Sequence, residues 1–313
     1  MLILVIGQGA REHAIVATLL KDSGVNVVCA PGNPGIAELA KTVPVNPTSG
    51  EAVVALAKQV NADLVVIGPE APLVAGVADE LRANGFAVFG PSSAAAKLEG
   101  SKAFAKEVMR AANVPTAESF LCVTVEEAQA ALDKFGSPYV VKDDGLAAGK
   151  GVVVTKDRNE ALAHAMSCID SRDGGAVVIE EYLDGPEVSL FGISDGKNIV
   201  PLSPAQDFKR VGNNDEGPNT GGMGAYTPLP WAPKDLIQDV QQKVLQPMID
   251  EMAKRGTPFI GLLYAGLALT ARGIKVIEFN ARFGDPETQV VLARLNSPLS
   301  ELLMAAATGK LKD

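Results

Sequence analysis

The sequence predicts an α/β protein: a doubly wound parallel sheet over residues 1 to about 100, then a second α/β unit over 101–313 that carries a mobile flap at about 116–186. Three observations predict it. Short apolar runs alternate with helical patterns through the first hundred residues, which is the signature of a parallel sheet covered on both faces. Turn-forming Gly, Pro and Asn gather where those runs end. From residue 139 onward, apolar strands instead flank a glycine-rich segment that a strand follows, so the second unit is built differently.

The first strand is the continuous apolar run Leu2–Ile6, and Gly7-Gln8-Gly9-Ala10-Arg11-Glu12-His13 leads from it into a helix reaching about Lys21. With no basic leader and no cleavage site after it, this run reads as a buried strand rather than a signal peptide. Further strands are expected at Val25–Cys29, Leu64–Ile67 and Ala87–Phe89, with helices near 50–60 and 72–83. Their carboxyl ends carry Gly7-Gln8-Gly9, Pro31-Gly32-Asn33-Pro34-Gly35, Gly68-Pro69-Glu70 and Gly90-Pro91-Ser92, all on the rim where open α/β sheets bind ligands. Glu12 stands where a dinucleotide fingerprint has its third glycine, and no acid follows the second strand, so nicotinamide binding is disfavoured. Two glycines ahead of a helix let backbone N–H groups approach one phosphate, and they equally make a plain strand-to-helix turn.

The second unit opens with a helix from Ser101 to about Ala112, a strand over Ser119–Val123 and a helix at 125–134. Tyr139–Val154 then reads as two strands around a loop containing Gly145, Gly149 and Gly151, with Lys142 before the loop and Lys150 inside it. The spacing is not that of a Walker loop, but such a hairpin can fold over a triphosphate as a flap. Val177–Leu190 reads as strand, turn, strand; its acids serve an adenosine or are simply solvated. Gln206-Asp207-Phe208-Lys209-Arg210 leads into a long Gly- and Asn-rich loop ending at Tyr226, a length that is usually functional inside a folded domain. A helix over 233–254 and strands at 262–270 and 274–280 complete the unit. On the last strand, period two sets Glu278 and Asn280 side by side, a carboxylate and an amide oxygen suited to Mg²⁺, with Arg282 two residues further on. Taken alone, the run Asn280–Pro286 also reads as a strand end and turn.

A net charge of −9 argues against an electrostatic nucleic-acid surface and in favour of small anionic metabolites. Cys29, Cys122 and Cys168 match no metal-ligand spacing and read as reduced, buried thiols. The longest nearly apolar stretch, Gly261–Ala271, is shorter than the about 20 residues a bilayer needs, so a cytoplasmic protein is expected.

With these motifs in place, the chain resembles the phosphoribosylamine–glycine ligases, or glycinamide ribonucleotide synthetases, of the ATP-grasp superfamily. Gly7–His13, Pro31–Gly35, Leu98–Lys102, Lys142–Gly151, Gln206–Arg210, Asn219–Tyr226 and Glu278–Glu287 occur in the family's order. The resemblance implies a pre-ATP-grasp domain at 1–100 and an ATP-grasp domain at 101–313. It implies ATP held by Lys102, Lys142 and Lys150, with Glu180 and the Leu183 backbone at the adenine and Glu187 at the ribose. It implies Mg²⁺, with Mn²⁺ as the alternative, on Glu278 and Asn280. Gly7, Gly9, Arg11, Glu12, His13, Asn33, Pro34, Gly35 and Glu70 would meet the phosphoribosylamine. Asp207, Lys209, Thr220, Gly221, Gly222, Met223 and Arg282 would surround glycine and the transferring phosphoryl. The implied reaction joins glycine to 5-phosphoribosylamine through glycyl phosphate, by a monomer or weak homodimer without nucleic-acid or membrane partners. The chain departs from the pattern in three ways: no acid on Tyr264–Ala268 to supply a further metal ligand, Asp143 where alanine is common, and no C-terminal domain beyond Asp313. The rival readings are another carboxylate–amine ligase and a non-catalytic nucleotide-binding regulator.

Overall fold

The apolar run at the N-terminus becomes the middle strand of a sheet buried on both faces. The computed structural model describes residues 1–145, 151–171, 174–213, 217 and 219–311, with the backbone alone for 219–221. In chain order come β1 (Leu2–Gly7), α1 (Ala10–Leu19), β2 (Asn26–Pro31), α2 (Pro34–Ala37), β3 (Lys41–Thr42), α3 (Gly50–Val60), β4 (Leu64–Ile67), α4 (Glu70–Val74), α5 (Val77–Ala83) and β5 (Ala87–Phe89). The strands lie in the order β3-β2-β1-β4-β5, all parallel. Alternate residues of β1 serve opposite cores. Leu4 and Ile6 pack with Val53, Ala57 and Leu81, whereas Ile3 and Val5 pack with Ile15, Val16 and Leu19. That two-sided burial is why β1 shows no polar alternation. Because β2 and β4 flank β1 on opposite sides, the strand order reverses there, and a crevice opens beyond the carboxyl ends of β1 and β4.

Two helices, α6 (Ser93–Gly100) and α7 (Lys102–Ala111), lead into the second unit. Ser101 ends the first and caps the second, its Oγ accepting from the Phe104 amide at 3.1 Å, and this places Lys102 at a helix start. β6 (Ser119–Cys122), α8 (Val125–Phe135), β7 (Tyr139–Asp143), β8 (Val152–Thr155), α9 (Arg158–Asp170) and β9 (Val177–Glu180) follow. They form an antiparallel sheet, β6-β9-β7-β8, with both helices on one face against Cys122, Val141, Val177 and Ile179. Strand alternation therefore turns Lys142, Val178 and Glu180 to the other face.

The remaining elements are β10 (Glu187–Asp195), β11 (Ile199–Pro201), β12 (Gln206–Arg210), β13 (Asn219–Tyr226), α10 (Leu236–Val240), α11 (Gln246–Lys254), β14 (Ile260–Thr270), β15 (Gly273–Asn280), α12 (Glu287–Leu292) and α13 (Leu299–Ala307). A π turn at Gln241–Leu245 joins α10 to α11. A second antiparallel sheet has the order β11-β10-β14-β15. One expectation is refined here and one changes. Val177–Leu190 is strand, turn, strand as expected, but the two strands do not pair: β6 and β7 occupy both edges of β9, and β10 lies in the other sheet. The Gly- and Asn-rich loop is largely a ribbon: β12 pairs with β13, and Phe208 stacks on Tyr226 with ring centroids 6.0 Å apart. Among the described residues, no helix is long and apolar enough to cross a membrane.

Candidate active site

The rim of the parallel sheet is organised around a carboxylate. Glu12, almost fully buried, accepts from the Gly9 amide at 2.6 Å and from Arg11 Nε at 2.5 Å. A Cβ at Gly68 would fall 2.1 Å from Glu12 Oε1, and one at Gly7, whose φ is +140°, would fall 2.4 Å from its Cγ. These glycines admit Glu12. The expectation that Gly7 and Gly9 offer free amides to a phosphate is therefore corrected at Gly9, whose N–H is already taken. Asn33 caps α2 by accepting from the Ile36 amide at 2.9 Å, and its own amide donates to Gln8 O at 2.9 Å. Pro34 opens α2, and the His13 ring lies 3.1 Å from where a Gly35 Cβ would stand. The Gly7–His13 and Pro31–Gly35 loops thus form one continuous surface.

That surface joins the end of β15 through two arginines. Arg11 Nη1 and Arg282 Nη1 both donate to Phe283 O, at 3.1 and 3.2 Å, and the Arg11 amide donates to Asp285 Oδ2 at 3.3 Å. Arg282 Nη2 forms an ion pair with Glu99 Oε1 at 2.8 Å and donates to Asn280 Oδ1 at 3.3 Å. Its Nε lies 3.3 Å from Glu70 Oε2, an ion contact, yet the buried Nε–H makes no hydrogen bond among the described residues. Burial pushes the Glu70 carboxyl up, but Arg282, its own amide and Arg11 together hold it below the usual range. Glu99 goes the other way: burial raises it and Arg282 only partly compensates. Glu99 also accepts from the Ala281 amide at 2.8 Å, fixing the strand end. It was missed from sequence, although it sits inside the Leu98–Lys102 motif.

The small sheet brings its charged face down on β15. Lys142 Nζ pairs with Glu180 Oε2 at 2.9 Å and donates to Ile277 O at 3.0 Å. Lys106 Nζ takes the other oxygen of Glu180 at 3.1 Å and donates to Thr116 Oγ1 and Ala117 O. Lys106 is a second residue that sequence reasoning missed; burial pushes its amine down to about 8 against the attraction of Glu180. Its only sequence signal was a lysine on the buried stripe of an amphipathic helix. Lys102 Nζ donates to Asp143 O at 2.8 Å and Gly145 O at 3.2 Å, at the stem of the glycine-rich segment. Lys150 lies outside the described residues. Leu183 lies between β9 and β10, and Glu187, exposed at the start of β10, meets Lys209 Nζ at 3.2 Å; Asp207 Oδ1 is also 3.2 Å from that Nζ.

On β15, Glu278 stands opposite Gly266 and Asn280 opposite Tyr264. A Cβ at Gly266 would already touch Glu278 Cγ at 3.4 Å, and glycine there supplies no side-chain oxygen opposite Glu278. Among the described residues no cluster of three His, Cys, Asp or Glu could hold a metal ion. One carboxylate and one amide oxygen suit a hard cation that shares its shell with phosphate oxygens and water. Beneath them, Tyr264 Oη donates to Glu287 Oε1 at 2.7 Å and lies 2.8 Å from Ser189 Oγ, a buried trio that went unread in the sequence. Burial raises both Tyr264 and Glu287. Thr220, Gly221, Gly222 and Met223 fall on β13. Gly222 has φ +132°, and a Cβ there would meet Pro286 Cδ at 2.7 Å, so the strand lies against Asp285-Pro286; Met223 is exposed.

Comparison with known proteins agrees with this geometry. The family model described as phosphoribosylglycinamide synthetase, N domain, matches residues 1–99. The one described as phosphoribosylglycinamide synthetase, ATP-grasp (A) domain, matches residues 100–288. The chain is 65% identical to the phosphoribosylamine–glycine ligase of Streptomyces coelicolor, over all of this chain and 74% of that protein. It is 58% identical to that of Mycobacterium leprae, over all of this chain and 75% of the relative. The crystal structure of phosphoribosylamine–glycine ligase from Thermotoga maritima superposes with a TM-score of 0.85 at 32% identity, covering all of this chain and 77% of that one. The chain belongs to the phosphoribosylglycinamide synthetase family of ATP-grasp proteins.

Proposed function

We propose that the chain joins glycine to 5-phosphoribosylamine at the expense of ATP, giving glycinamide ribonucleotide, ADP and phosphate by way of glycyl phosphate, a step of purine biosynthesis. One observation carries the site: Arg11, from the rim of the parallel sheet, and Arg282, from the end of β15, converge on Phe283 O. The amine pocket and the phosphoryl-transfer strand are thereby adjacent. A carboxylate is a poor electrophile until its oxygen is phosphorylated, and in-line phosphoryl transfer needs positioning and charge neutralisation rather than a protein nucleophile.

In this reading 1–100 is the amine-binding domain and 101–313 the ATP-grasp domain, with about 116–186 as the flap. Lys102, Lys142 and Lys150 hold the phosphates; Lys102 exchanges its two carbonyl partners for them. The resemblance sets Glu180 at the adenine, but both its oxygens are engaged by lysines, so in this reading it orients Lys142 instead and the adenine meets the chain at the Leu183 backbone. Glu187 takes the ribose. Glu278 and Asn280 would hold Mg²⁺ or Mn²⁺, which supplies charge neutralisation at the phosphates. Asp207, Lys209, Thr220–Met223 and Arg282 surround glycine, and the two N-terminal loops with Glu70 receive the amine. The test is ADP and phosphate release with glycine and phosphoribosylamine omitted in turn. Release that requires glycine supports the ligase; release indifferent to both substrates contradicts it.

A further inference from the structure

The ligation step needs a proton acceptor. When the amine nitrogen attacks the acyl carbon, an N–C bond forms, the nitrogen becomes positively charged, and one N–H proton must leave as the C–O bond to phosphate breaks. Among the carboxylates gathered where the two units meet, the structure discriminates. Glu12 is buried, with both oxygens taken by Gly9 and Arg11. Glu99 is likewise committed to Ala281 and Arg282. Asp285 accepts from the Arg11 amide and from Gln289. Glu287 is sealed beneath Tyr264.

Glu70 differs from all of these. It starts α4 at the carboxyl end of β4, on the rim of the crevice, and its side chain keeps 32% of its exposure. Its contact with Arg282 Nε, 3.3 Å long, lacks hydrogen-bond geometry on the arginine side. We propose that Glu70 is a catalytic residue: its carboxylate accepts the proton that the attacking amine loses during ligation. This rests on the ligase reading above. The charged groups facing Glu70 are Arg282 from the end of β15, Arg11 from α1 and Glu99 from α6. The two cations keep it ionised through the neutral range, and a carboxylate is basic enough for the strongly acidic nitrogen of the adduct. Glu70 then passes the proton to solvent as phosphate leaves.

The test partitions one intermediate between two fates in one tube. The protein turns over ATP and glycine in the presence of phosphoribosylamine and hydroxylamine, and the ratio of glycinamide ribonucleotide to glycyl hydroxamate is read. This ratio does not depend on the fraction of protein folded. Glu70→Gln should lower it by about 100-fold, the usual scale of a lost general base, with Glu70→Asp in between. An unchanged ratio in Glu70→Gln overturns the inference and leaves the ligase reading intact. Failure of the unsubstituted chain to form any hydroxamate from glycine overturns the ligase reading itself.

Discussion

Replacing Arg282 by methionine strips the guanidinium that faces both Glu99 and Glu70, and the geometry sets the scale of the cost. Glu99, with a side chain 8% exposed and 2.8 Å from Nη2, is the partner that suffers. Removing one member of such a buried pair costs about 3–5 kcal/mol, while Glu70, a third exposed, adds little. Protonation limits the damage. Burial already raises the Glu99 carboxyl and Arg282 opposes it, so the variant raises it further. A carboxyl whose folded value lies above its unfolded one stabilises the protein at low pH and loses that stabilisation as pH rises through the folded value. Arg282→Met should therefore lose more stability between pH 5 and pH 8 than the parent does. Glu99→Gln removes the charge but offers one oxygen to two donors, the Ala281 amide and Arg282, a loss of about 1–3 kcal/mol. In the double variant the uncompensated charge is gone, so the combined loss should fall short of the sum by about 2 kcal/mol, beyond the roughly 0.5 kcal/mol within which independent sites add. Urea unfolding of the four proteins at both pH values measures this. Additive losses with the parent's pH dependence would refute the assignment of Glu99 as the partner that holds Arg282.

Glu278→Ala should abolish metal-dependent phosphoryl transfer, since it leaves Asn280 as the adjacent oxygen ligand; unchanged turnover at low Mg²⁺ would put the metal elsewhere. Lys142→Ala should weaken ATP binding by about 1.5–3 kcal/mol, the worth of a charged hydrogen bond, and calorimetry showing parental affinity would remove it from the nucleotide site. Gly68→Ala should cost about 1–3 kcal/mol through overpacking, because its Cβ would land 2.1 Å from Glu12 Oε1. A parental melting temperature would show that Glu12 is not confined by that glycine.

The parallel sheet was legible because β1, β4 and β5 are short apolar runs separated by helical periods, and because turn formers mark every carboxyl end. Glu278 and Asn280 were legible as neighbours because both lie past the β-bulge at Ile277; across it the period shifts, and Val276 and Phe279 share one core. What escaped was non-local. Nothing within Val177–Leu190 says that β9 already has two neighbours. Likewise, nothing local to Gly7 or Gly68 says that Glu12 packs against both. Glu99 resembles an ordinary helix-surface charge in sequence, and Lys106 differs only in falling on the buried stripe of α7; their partners, the end of β15 and Glu180, lie far off in the chain. The Ser189–Tyr264–Glu287 trio draws on three elements far apart in the chain, so no local pattern could announce it.

The central claim is that glycine is activated as an acyl phosphate between the β15 strand and the N-terminal rim, and the fate of one oxygen atom tests it. Glycine labelled with ¹⁸O in its carboxylate is turned over with ATP, the divalent cation and phosphoribosylamine, and the released phosphate is analysed by mass spectrometry. Attack of a carboxylate oxygen on the terminal phosphorus, followed by cleavage of the acyl C–O bond, leaves one labelled oxygen in each phosphate. Phosphate carrying a single ¹⁸O is the predicted result; unlabelled phosphate formed together with glycinamide ribonucleotide would contradict it.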